Sequence, residues 1–332
     1  MLEGSEMEST GAYENKLRAA LGKKRVRFNC FVGAFVFALL LLMAILQPGF
    51  YSQGNISSIL IQSGATAVMA AGQVYVMVSG GIDLSIPNAM MLSGCVGAIV
   101  MRSSGSVALG VASIFAVGLL AGLFNGIAVA KFKMMAFVAT MITMLICGGL
   151  STLITQSTSI PVPEEFCNIF GGYLGPIHAT ILIMVLCLFV LHYVLAYTAF
   201  GRKVFAVGTN RLSSNTCGLN TESIQIRVFL ISGLMASIAA LLLVGRLGSS
   251  SLSLASDQTS LDVIAAAIVG GASITGGVGT ALGAFFGALL ITTLSNSLVW
   301  FGVDYYTIQI IKGFVFLLIT YFDSIRSKLG GA

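Results

Sequence analysis

Apolar residues in this chain gather in runs of about twenty, separated by short polar segments. A run of this length predicts a helix that crosses the roughly 30 Å hydrocarbon core of a bilayer at about 1.5 Å per residue. Eight runs meet or approach it, at 28–47, 56–79, 107–130, 136–155, 177–200, 228–244, 278–302 and 307–322. The pattern therefore predicts an all-α integral membrane protein.

Two further apolar runs, 88–101 and 263–275, are shorter than a full membrane span. We interpret them as short or broken helices that still cross, which gives about ten transmembrane helices. An arrangement with eight crossings, in which both short runs are re-entrant, stays open because it keeps the same ends on the same sides.

The cations lie between the spans in a one-sided pattern. With the N-terminus in the cytoplasm, fourteen of the seventeen Lys and Arg residues fall in cytoplasmic segments. These are Lys16, Arg18, Lys23, Lys24, Arg25, Arg27, Lys131, Lys133, Arg202, Lys203, Arg211, Arg227, Arg326 and Lys328. Arg102 and Arg246 fall outside, and Lys312 lies within the last helix. The positive-inside rule requires such an asymmetry, which predicts that both termini are cytoplasmic.

The composition fits the same class of protein. Apolar residues make up 57% of the chain, charged residues 9%, and the mean hydropathy is +0.97, whereas a soluble domain carries roughly 25% charged residues. Residues 1–27 are predicted to form a basic cytoplasmic arm, of which 13–27 is expected to lie on the inner membrane surface. The full-length apolar run behind the arm argues against a cleaved signal. Inner-leaflet lipid accounts for the net charge of +5, so no nucleic-acid partner is expected.

The chain is predicted to form one membrane domain at 28–323, followed by a cytoplasmic tail at 324–332. Its two halves echo each other weakly. Residues 79–84 lead into one short helix and residues 260–264 into the other, and each short helix is followed by a glycine-rich helix with an Asn near its end. Paired short segments in corresponding positions of two halves point to a translocation site.

Two carboxylates are predicted to open the short helices. Asp83 and Asp262 would accept the free N–H groups of a first helical turn and face the positive end of the helix dipole. On this interpretation they shape the pathway by holding the helices beside it, and capping alone is the simpler alternative. Lys312 lies inside an apolar helix, so it either has a partner or an aqueous cavity or extends outward to the membrane surface.

Uncharged polar residues also interrupt the apolar helices. They are Asn125, Thr140, Thr143, Asn296 and Gln309. Such residues either bond one helix to another or line a path for a hydroxyl-rich solute. Glycines at four-residue steps in 118–126 and 279–287 favour close helix packing, because association in lipid depends on backbone approach.

Several chemistries are absent from the sequence. It contains no G-x4-G-K-[ST] motif that would cradle ATP phosphates. His178 and His192 form no metal site, and the cysteines follow no metal or disulfide spacing. The chain is therefore not expected to be an enzyme or to hold a metal or cofactor of its own.

Residues 80–85 (GGIDLS) resemble the signature of ABC permeases that import ribose, xylose, arabinose or galactose. Further segments resemble the same family in the same order. They are 201–210 (GRKVFAVGTN), 232–234 (SGL), 261–271 (LDVIAAAIVGG), 276–279 (GGVG) and 310–313 (IIKG). The resemblance covers about residues 50–323.

The resemblance implies a ten-helix subunit of the bacterial inner membrane that pairs with a second permease subunit as a homo- or heterodimer. Two ATPase cassettes would bind ATP below it, and an extracytoplasmic binding protein would deliver a monosaccharide from above. The loop 201–227 would be the coupling element, with a short helix around 210–217 docked in the ATPase. The loop residues to which this role is assigned are Gly201, Arg202, Asn210, Arg211, Ser214, Asn215 and Gly218.

The sequence departs from the family pattern at 86–88 (IPN) and at Met135-Ala136, just before Phe137. Both places lie near the presumed path, so Phe137 joins the residues expected to shape it and the identity of the solute stays open. A branched-chain amino acid or nucleoside permease is the nearest alternative. An ion-coupled secondary transporter would need a coupling acid within the helices, and a structural or channel-forming protein would not explain the basic loop.

Overall fold

The computed structural model describes Met43 and residues 45–330. The basic arm at 1–27 and most of the first predicted span at 28–47 lie outside the described residues. Twelve α-helices follow Gln47 in the described part. They are α1 (Gln53–Val78), α2 (Ile86–Ser104), α3 (Val107–Ala130), α4 (Ala136–Thr155), α5 (Glu164–Phe170), α6 (Ala179–Tyr197), α7 (Ala199–Thr209), α8 (Arg211–Thr216), α9 (Thr221–Leu247), α10 (Asp257–Val269), α11 (Ala281–Trp300) and α12 (Tyr305–Gly330).

Strands are confined to two-residue pairings outside these helices in the described part. The strands are β1 (Ile160–Pro161), β2 (Tyr173–Leu174), β3 (Ile177–His178) and β4 (Ser249–Ser250). β1 pairs antiparallel with β4, and β2 pairs antiparallel with β3. The first pairing ties the segment after α4 to the segment after α9, on the side predicted to be external.

Seven helical segments of the described chain are long and apolar enough to cross a membrane. They are Gln53–Val78, Val107–Ala130, Ala136–Thr155, Ala179–Tyr197, Thr221–Leu247, Leu252–Val269 and Ala281–Trp300. Tyr305–Leu318 is a shorter apolar helix. The fold is therefore helical and membrane-spanning, as the apolar runs predict.

The helix bounds follow local sequence signals. Ser106 caps α3 by accepting the N–H of Leu109, and Ser256 and Thr259 form a reciprocal capping box at the start of α10. Asp304 precedes α12, and its carboxylate accepts the N–H groups of Tyr306 and Thr307 and the Thr307 hydroxyl. These bonds favour the ionised form and lower the pKa of Asp304 below its usual value, with the Thr307 hydroxyl as the largest cause.

Three predicted spans differ from the helices observed. The apolar run at 88–101 predicts a short helix, but α2 has 19 residues, or about 28 Å. The helix starts earlier because Pro87 fits its first turn, and it ends later because Gly105, in the left-handed conformation, terminates it. The run at 263–275 does form a short helix, but α10 begins at Asp257 and stops at Val269. α12 continues to Gly330, so the predicted tail at 324–332 begins as helix.

The two halves of the membrane domain interlock. α9 packs along α3, and α1 packs along α11, while α1 and α9 also contact each other at the centre. Within each half, α2 packs on α3 as α10 packs on α11. The two halves that resemble each other weakly in sequence thus make matching contacts, because a helix of each half packs against a helix of the other half.

Glycines permit the closest of these contacts. A Cβ atom added at Gly118 would lie 2.1 Å from the Ser237 hydroxyl, and one at Gly122 would lie 2.4 Å from the Phe229 carbonyl oxygen. On α11, a Cβ at Gly287 would lie 2.0 Å from the Ala266 carbonyl oxygen of α10. The prediction that the glycine steps serve packing is confirmed.

Candidate functional site

Residues 79–85 form a non-helical break between α1 and α2. Gly80 turns the chain with φ of +87°, a conformation that favours glycine. The segment then runs inward, so that Asp83 is only 3% exposed. This break carries the GGIDLS residues into the centre of the helix bundle.

The Asp83 carboxylate is held by three hydrogen bonds. Its Oδ1 accepts the backbone N–H of Ser85 at 2.9 Å and the Ser85 hydroxyl at 2.6 Å. Its Oδ2 accepts the hydroxyl of Ser232, on α9, at 2.7 Å. The prediction that Asp83 caps a helix is wrong, because its backbone partner Ser85 precedes the first residue of α2 and the other donors are side chains.

Asn125 and Thr143 extend this buried network to α3 and α4. The Asn125 amide donates to the Ser85 hydroxyl at 2.8 Å, and Thr143 donates to the Asn125 carbonyl oxygen at 2.5 Å. Both side chains are almost fully buried. Asn125, Thr143 and Ser232 thus join the break to three different helices, α3, α4 and α9. Each of them lies 40 or more positions from Asp83 or Ser85 along the chain.

The backbone of the break is held as firmly as its carboxylate. With its amide oriented to give both atoms a partner, Gln73 of α1 donates to the Asp83 carbonyl at 3.1 Å and accepts the Asp83 N–H at 3.2 Å. Thr140 of α4 accepts the N–H of Leu84 at 3.2 Å and lies 3.2 Å from the Ile82 carbonyl. The break is therefore satisfied by neighbouring helices, as irregular backbone at membrane depth must be.

The space around this network is closed. The crevice lined by Asp83, Ser85, Asn125 and Ser232 has no room for a water molecule. In this conformation Asp83 joins the break to α9, and Thr140 joins it to α4. Asn125 and Thr143 bond α3 to α4, and Thr143 also lines an apolar crevice between α2, α3 and α4. The sequence left two roles open for Asn125, Thr140 and Thr143, namely bonding between elements of the bundle and lining a path for the solute. The structure shows them hydrogen-bonded to neighbouring elements.

Asp262 does not open a helix. It lies inside α10, five residues after Asp257, and its Oδ2 accepts a hydrogen bond from Lys312 of α12 at 2.9 Å. The capping prediction for Asp262 is wrong because Ser256 and Thr259 already close the start of α10. Of the alternatives for Lys312, the structure shows a partner, and the residue is only 7% exposed.

The remaining predicted pathway residues lie in three different settings. Asn296 of α11 accepts a hydrogen bond from Asn55 of α1 at 3.2 Å, and Trp300 donates to the same Asn55. Phe137 is 48% exposed on the outer surface of α4. The side-chain oxygen of Gln309 is buried and has no hydrogen-bond partner among the described residues. The structure thus does not bring these three together with Asp83.

The predicted coupling loop at 201–227 is mostly helical. It contains α7 from Gly201 onward, all of α8, and the start of α9. The short helix expected at 210–217 is confirmed as α8, which Asn210 caps by accepting the N–H of Ser213 at 2.9 Å. This part of the loop is therefore a short ordered helix and not an extended connector.

The residues assigned to this loop divide into anchors and exposed positions. Ser214 is buried, and Asn215 accepts a hydrogen bond from the Thr221 hydroxyl at 2.7 Å, which folds α8 back onto α9. Gly218 makes the intervening turn with φ of +79°. Arg202 and Asn210 are exposed, and Arg211 is half-buried with one guanidinium nitrogen enclosed.

Three motif segments meet where α7 packs against the end of α1. A Cβ added at Gly208 would lie 1.7 Å from the Val78 carbonyl oxygen, and one at Gly276 would lie 2.6 Å from the Gly208 carbonyl oxygen and 3.1 Å from the Gly80 Cα. The Gly277 N–H donates to that same Val78 oxygen at 2.9 Å. We call these residues, Gly80, Gly208, Gly276 and Gly277, the glycine junction. It connects the coupling segment directly to the break that holds Asp83.

Two open clefts lie on the described surface. One of about 450 Å³ lies at the ends of α2 and α4 and includes the polar residues Arg102, Thr155, Gln156 and Thr158. The other, of about 390 Å³, is an apolar crevice between α2, α3 and α4. Only the first presents side chains that suit a hydrated solute.

Sequence reasoning missed Ser85, Ser232 and Gln73, which complete the network. Gln73 interrupts an apolar run just as Asn125 does, so the same signal would have found it. Ser85 and Ser232 lie within segments that carry the family resemblance. Their pairing with Asp83 depends on tertiary packing, which the sequence alone does not show.

Comparison with known proteins identifies the family of this chain. The family model described as branched-chain amino acid transport system / permease component matches residues 55–320. The ribose import permease proteins of Haemophilus influenzae and Escherichia coli K12 are 32% and 34% identical, covering 92% and 86% of this chain and 95% and 92% of their own lengths. The xylose transport system permease protein of Escherichia coli K12 is 30% identical over 92% of this chain and 94% of its own. The chain therefore belongs to this family of ABC importer permeases and is a multi-pass protein of the cell membrane.

Proposed function

We propose that this chain forms the translocation pathway of an ATP-driven importer for a monosaccharide that an extracytoplasmic binding protein delivers. The observation that carries the proposal is the glycine junction. It links the basic coupling segment, by backbone contact, to the break between α1 and α2 and to the turn before α11. A motor that pushes on α7 and α8 would therefore move elements of both halves at once.

The proposed topology has ten crossings with both ends in the cytoplasm. The seven apolar segments, α2 and α12 supply nine, and the predicted run at 28–47 supplies the first. The length of α2 favours ten crossings over eight, since about 28 Å of helix nearly spans the hydrocarbon core. The one-sided Lys and Arg distribution supports the orientation.

The proposed partners follow from the exposed surfaces. α8 presents Leu212, which is 78% exposed, beside Arg211 and other basic residues on the side assigned to the cytoplasm. A nucleotide-binding ATPase would dock there, and it would bind and hydrolyse the ATP for which this chain has no binding motif. The apolar crevice between α2, α3 and α4 offers a surface in the membrane for a second permease subunit.

A monosaccharide is favoured over an amino acid by the relatives, whose names specify ribose and xylose. The description of the family model favours a branched-chain amino acid, so that solute is the second candidate. An ion-coupled carrier is disfavoured because the carboxylates of Asp83 and Asp262 are both engaged by other side chains. Asp83 is bonded by Ser85 and Ser232, and Asp262 is paired with Lys312.

Reconstitution tests the proposal. The chain would be placed in liposomes with its ATPase and binding-protein partners, and uptake of labelled ribose, xylose, galactose, leucine and a nucleoside would be measured. We expect ATP-dependent accumulation of one sugar with all components and none with the chain alone. Leucine accumulation would favour the second candidate, and uphill uptake by the chain alone would overturn an ATP-driven mechanism.

A further inference from the structure

An ion pair lies between α10 and α12. Lys312 donates to Asp262 Oδ2 at 2.9 Å, and Gln258, one turn before Asp262, donates to Oδ1 at 3.1 Å. The Lys312 side chain is 9% exposed and that of Asp262 is 18% exposed. The two helices thus enclose opposite charges with a small accessible opening on the carboxylate side.

The pair is well below the ends of its helices. Asp262 is five residues into α10 and Lys312 seven residues into α12, which corresponds to about 8 Å and about 10 Å along the two axes. At this depth the uncovered part of a carboxylate is costly against lipid chains, so it faces water or protein. An aqueous path between subunits or helices meets that requirement.

Helix stability does not require such a pair. Withdrawing two charges from water costs several kcal/mol per ion, and apolar residues of similar volume generally stabilise a buried contact as well or better. Ionisable residues in membrane helices accordingly mark sites where a solute or ion passes. The α10–α12 contact therefore calls for a role beyond packing.

The surrounding polar atoms have unused hydrogen-bonding capacity. An ammonium group has three donors, and Lys312 uses one of them on an acceptor among the described residues. Gln309, three residues before Lys312, has a buried side-chain oxygen with no partner in the same part of the chain. Residues three apart lie on one face of a helix. Among the described residues, Lys312 thus has donors and Gln309 an acceptor that no partner occupies, one turn apart on α12.

We propose that Gln258, Asp262, Gln309 and Lys312 form a binding site for the hydroxyl groups of a neutral, polyhydroxylated solute in transit. This deepens the proposed function and rests on it. A sugar hydroxyl both donates and accepts, so one hydroxyl can accept from Lys312 while it or its neighbour donates to Asp262 or Gln309. Because the two charges cancel, the site attracts no free ion strongly and releases a neutral sugar readily.

The first test removes both charges together. Asp262→Leu combined with Lys312→Met leaves no unpaired charge, so the unfolding midpoint and the assembly with the ATPase should match those of the parent complex. We expect sugar uptake in liposomes to fall by roughly tenfold or more, the loss that corresponds to hydrogen bonds with charged groups. Uptake equal to the parent would show that the pair serves packing alone. Failure of the parent complex to import any sugar would instead refute the proposed function.

A second variant keeps the ion pair and so remains informative if the double variant does not assemble. Gln309→Leu removes the unpartnered acceptor and should lower uptake of the full sugar several-fold, while uptake of a deoxy analogue that the binding protein still accepts changes less. Ser113→Ala is the control, since its hydroxyl bonds only the Gly110 carbonyl of its own helix. Equal uptake of both solutes by Gln309→Leu and by the control would overturn the proposal.

Discussion

Ser232 on α9 donates a hydrogen bond to Asp83 at 2.7 Å, although the two residues are 149 positions apart in the chain. Each lies in a separate segment of family resemblance, and each belongs to a different half of the membrane domain. The bond is fully buried, so no water can replace either partner. It makes the break after α1 depend on the position of α9.

This relationship predicts unequal effects for variants of Asp83. Asp83→Ala leaves the Ser85 and Ser232 hydroxyls without their acceptor, and each buried unsatisfied group costs about 1–3 kcal/mol. Asp83→Asn keeps one acceptor oxygen and should lose less. Thermal unfolding followed by size-exclusion chromatography in detergent should rank the midpoints as parent, then Asn, then Ala.

Ser232→Ala provides the control, because it removes one donor and leaves the carboxylate with its two bonds from Ser85. Its unfolding midpoint should lie between those of the parent and Asp83→Ala. If Asp83→Ala had the parental midpoint but abolished uptake, the carboxylate would act on the solute and not on the fold.

The helix spans were largely readable from the sequence because hydrocarbon imposes length and hydropathy on every crossing. The bounds of α3 and α4 match the apolar runs at 107–130 and 136–155. The extents of α2 and α10 were not readable, since Pro87 and the Ser256 cap set them through local geometry that hydropathy does not report.

Some members of the site were predictable from the sequence, but Ser85, Ser232 and Gln73 and the bonds of the network were not. Uncharged polar residues in apolar helices identified Asn125 and Thr143, and Asp83 and Asp262 were singled out as carboxylates that open the short helices. Which residues meet depends on how the two halves interlock, and a single sequence has no signal for that. The sequence therefore predicts the same capping role for Asp83 and Asp262. In the structure, serine hydroxyls bond to Asp83, whereas Lys312 pairs with Asp262.

The contact between α3 and α9 predicts a strong effect of one methyl group. Gly122→Ala would place a Cβ 2.4 Å from the Phe229 carbonyl oxygen, so the helices must separate, at a cost of about 1–3 kcal/mol. Gly149→Ala is the matched control, because a Cβ there meets nothing within 4 Å and alanine favours a helix by up to about 1 kcal/mol. We expect a lower unfolding midpoint for the first variant and an equal or higher one for the second. Equal midpoints would mean that α3 and α9 do not pack closely in the membrane.

The exposed leucine of α8 predicts the position of the ATPase. Leu212→Ser changes a side chain that is 78% exposed, so the fold should persist while the ATPase subunit is retained less well during co-purification. Leu174→Ser is the control, because Leu174 is 60% exposed on β2, on the side assigned to the exterior. Loss of the ATPase with Leu174→Ser but not with Leu212→Ser would reverse the assigned orientation.

The hydrogen bond between Asn55 and Asn296 allows a test of whether Asn296 stabilises the fold or lines the pathway. Asn55 donates to Asn296 at 3.2 Å and to the Phe50 carbonyl at 2.8 Å, while Trp300 donates to Asn55. If packing is the role, Asn55→Ala and Asn296→Ala should each lower the unfolding midpoint, and the double variant should lose less than the two losses combined. The shared bond would appear as a coupling free energy of about 0.5–2 kcal/mol in a double-mutant cycle. Uptake per folded molecule should stay within a factor of about two of the parent value, because a bond that only stabilises the fold does not contact the solute. A parental midpoint for Asn296→Ala with uptake reduced tenfold would instead place Asn296 on the path of the solute.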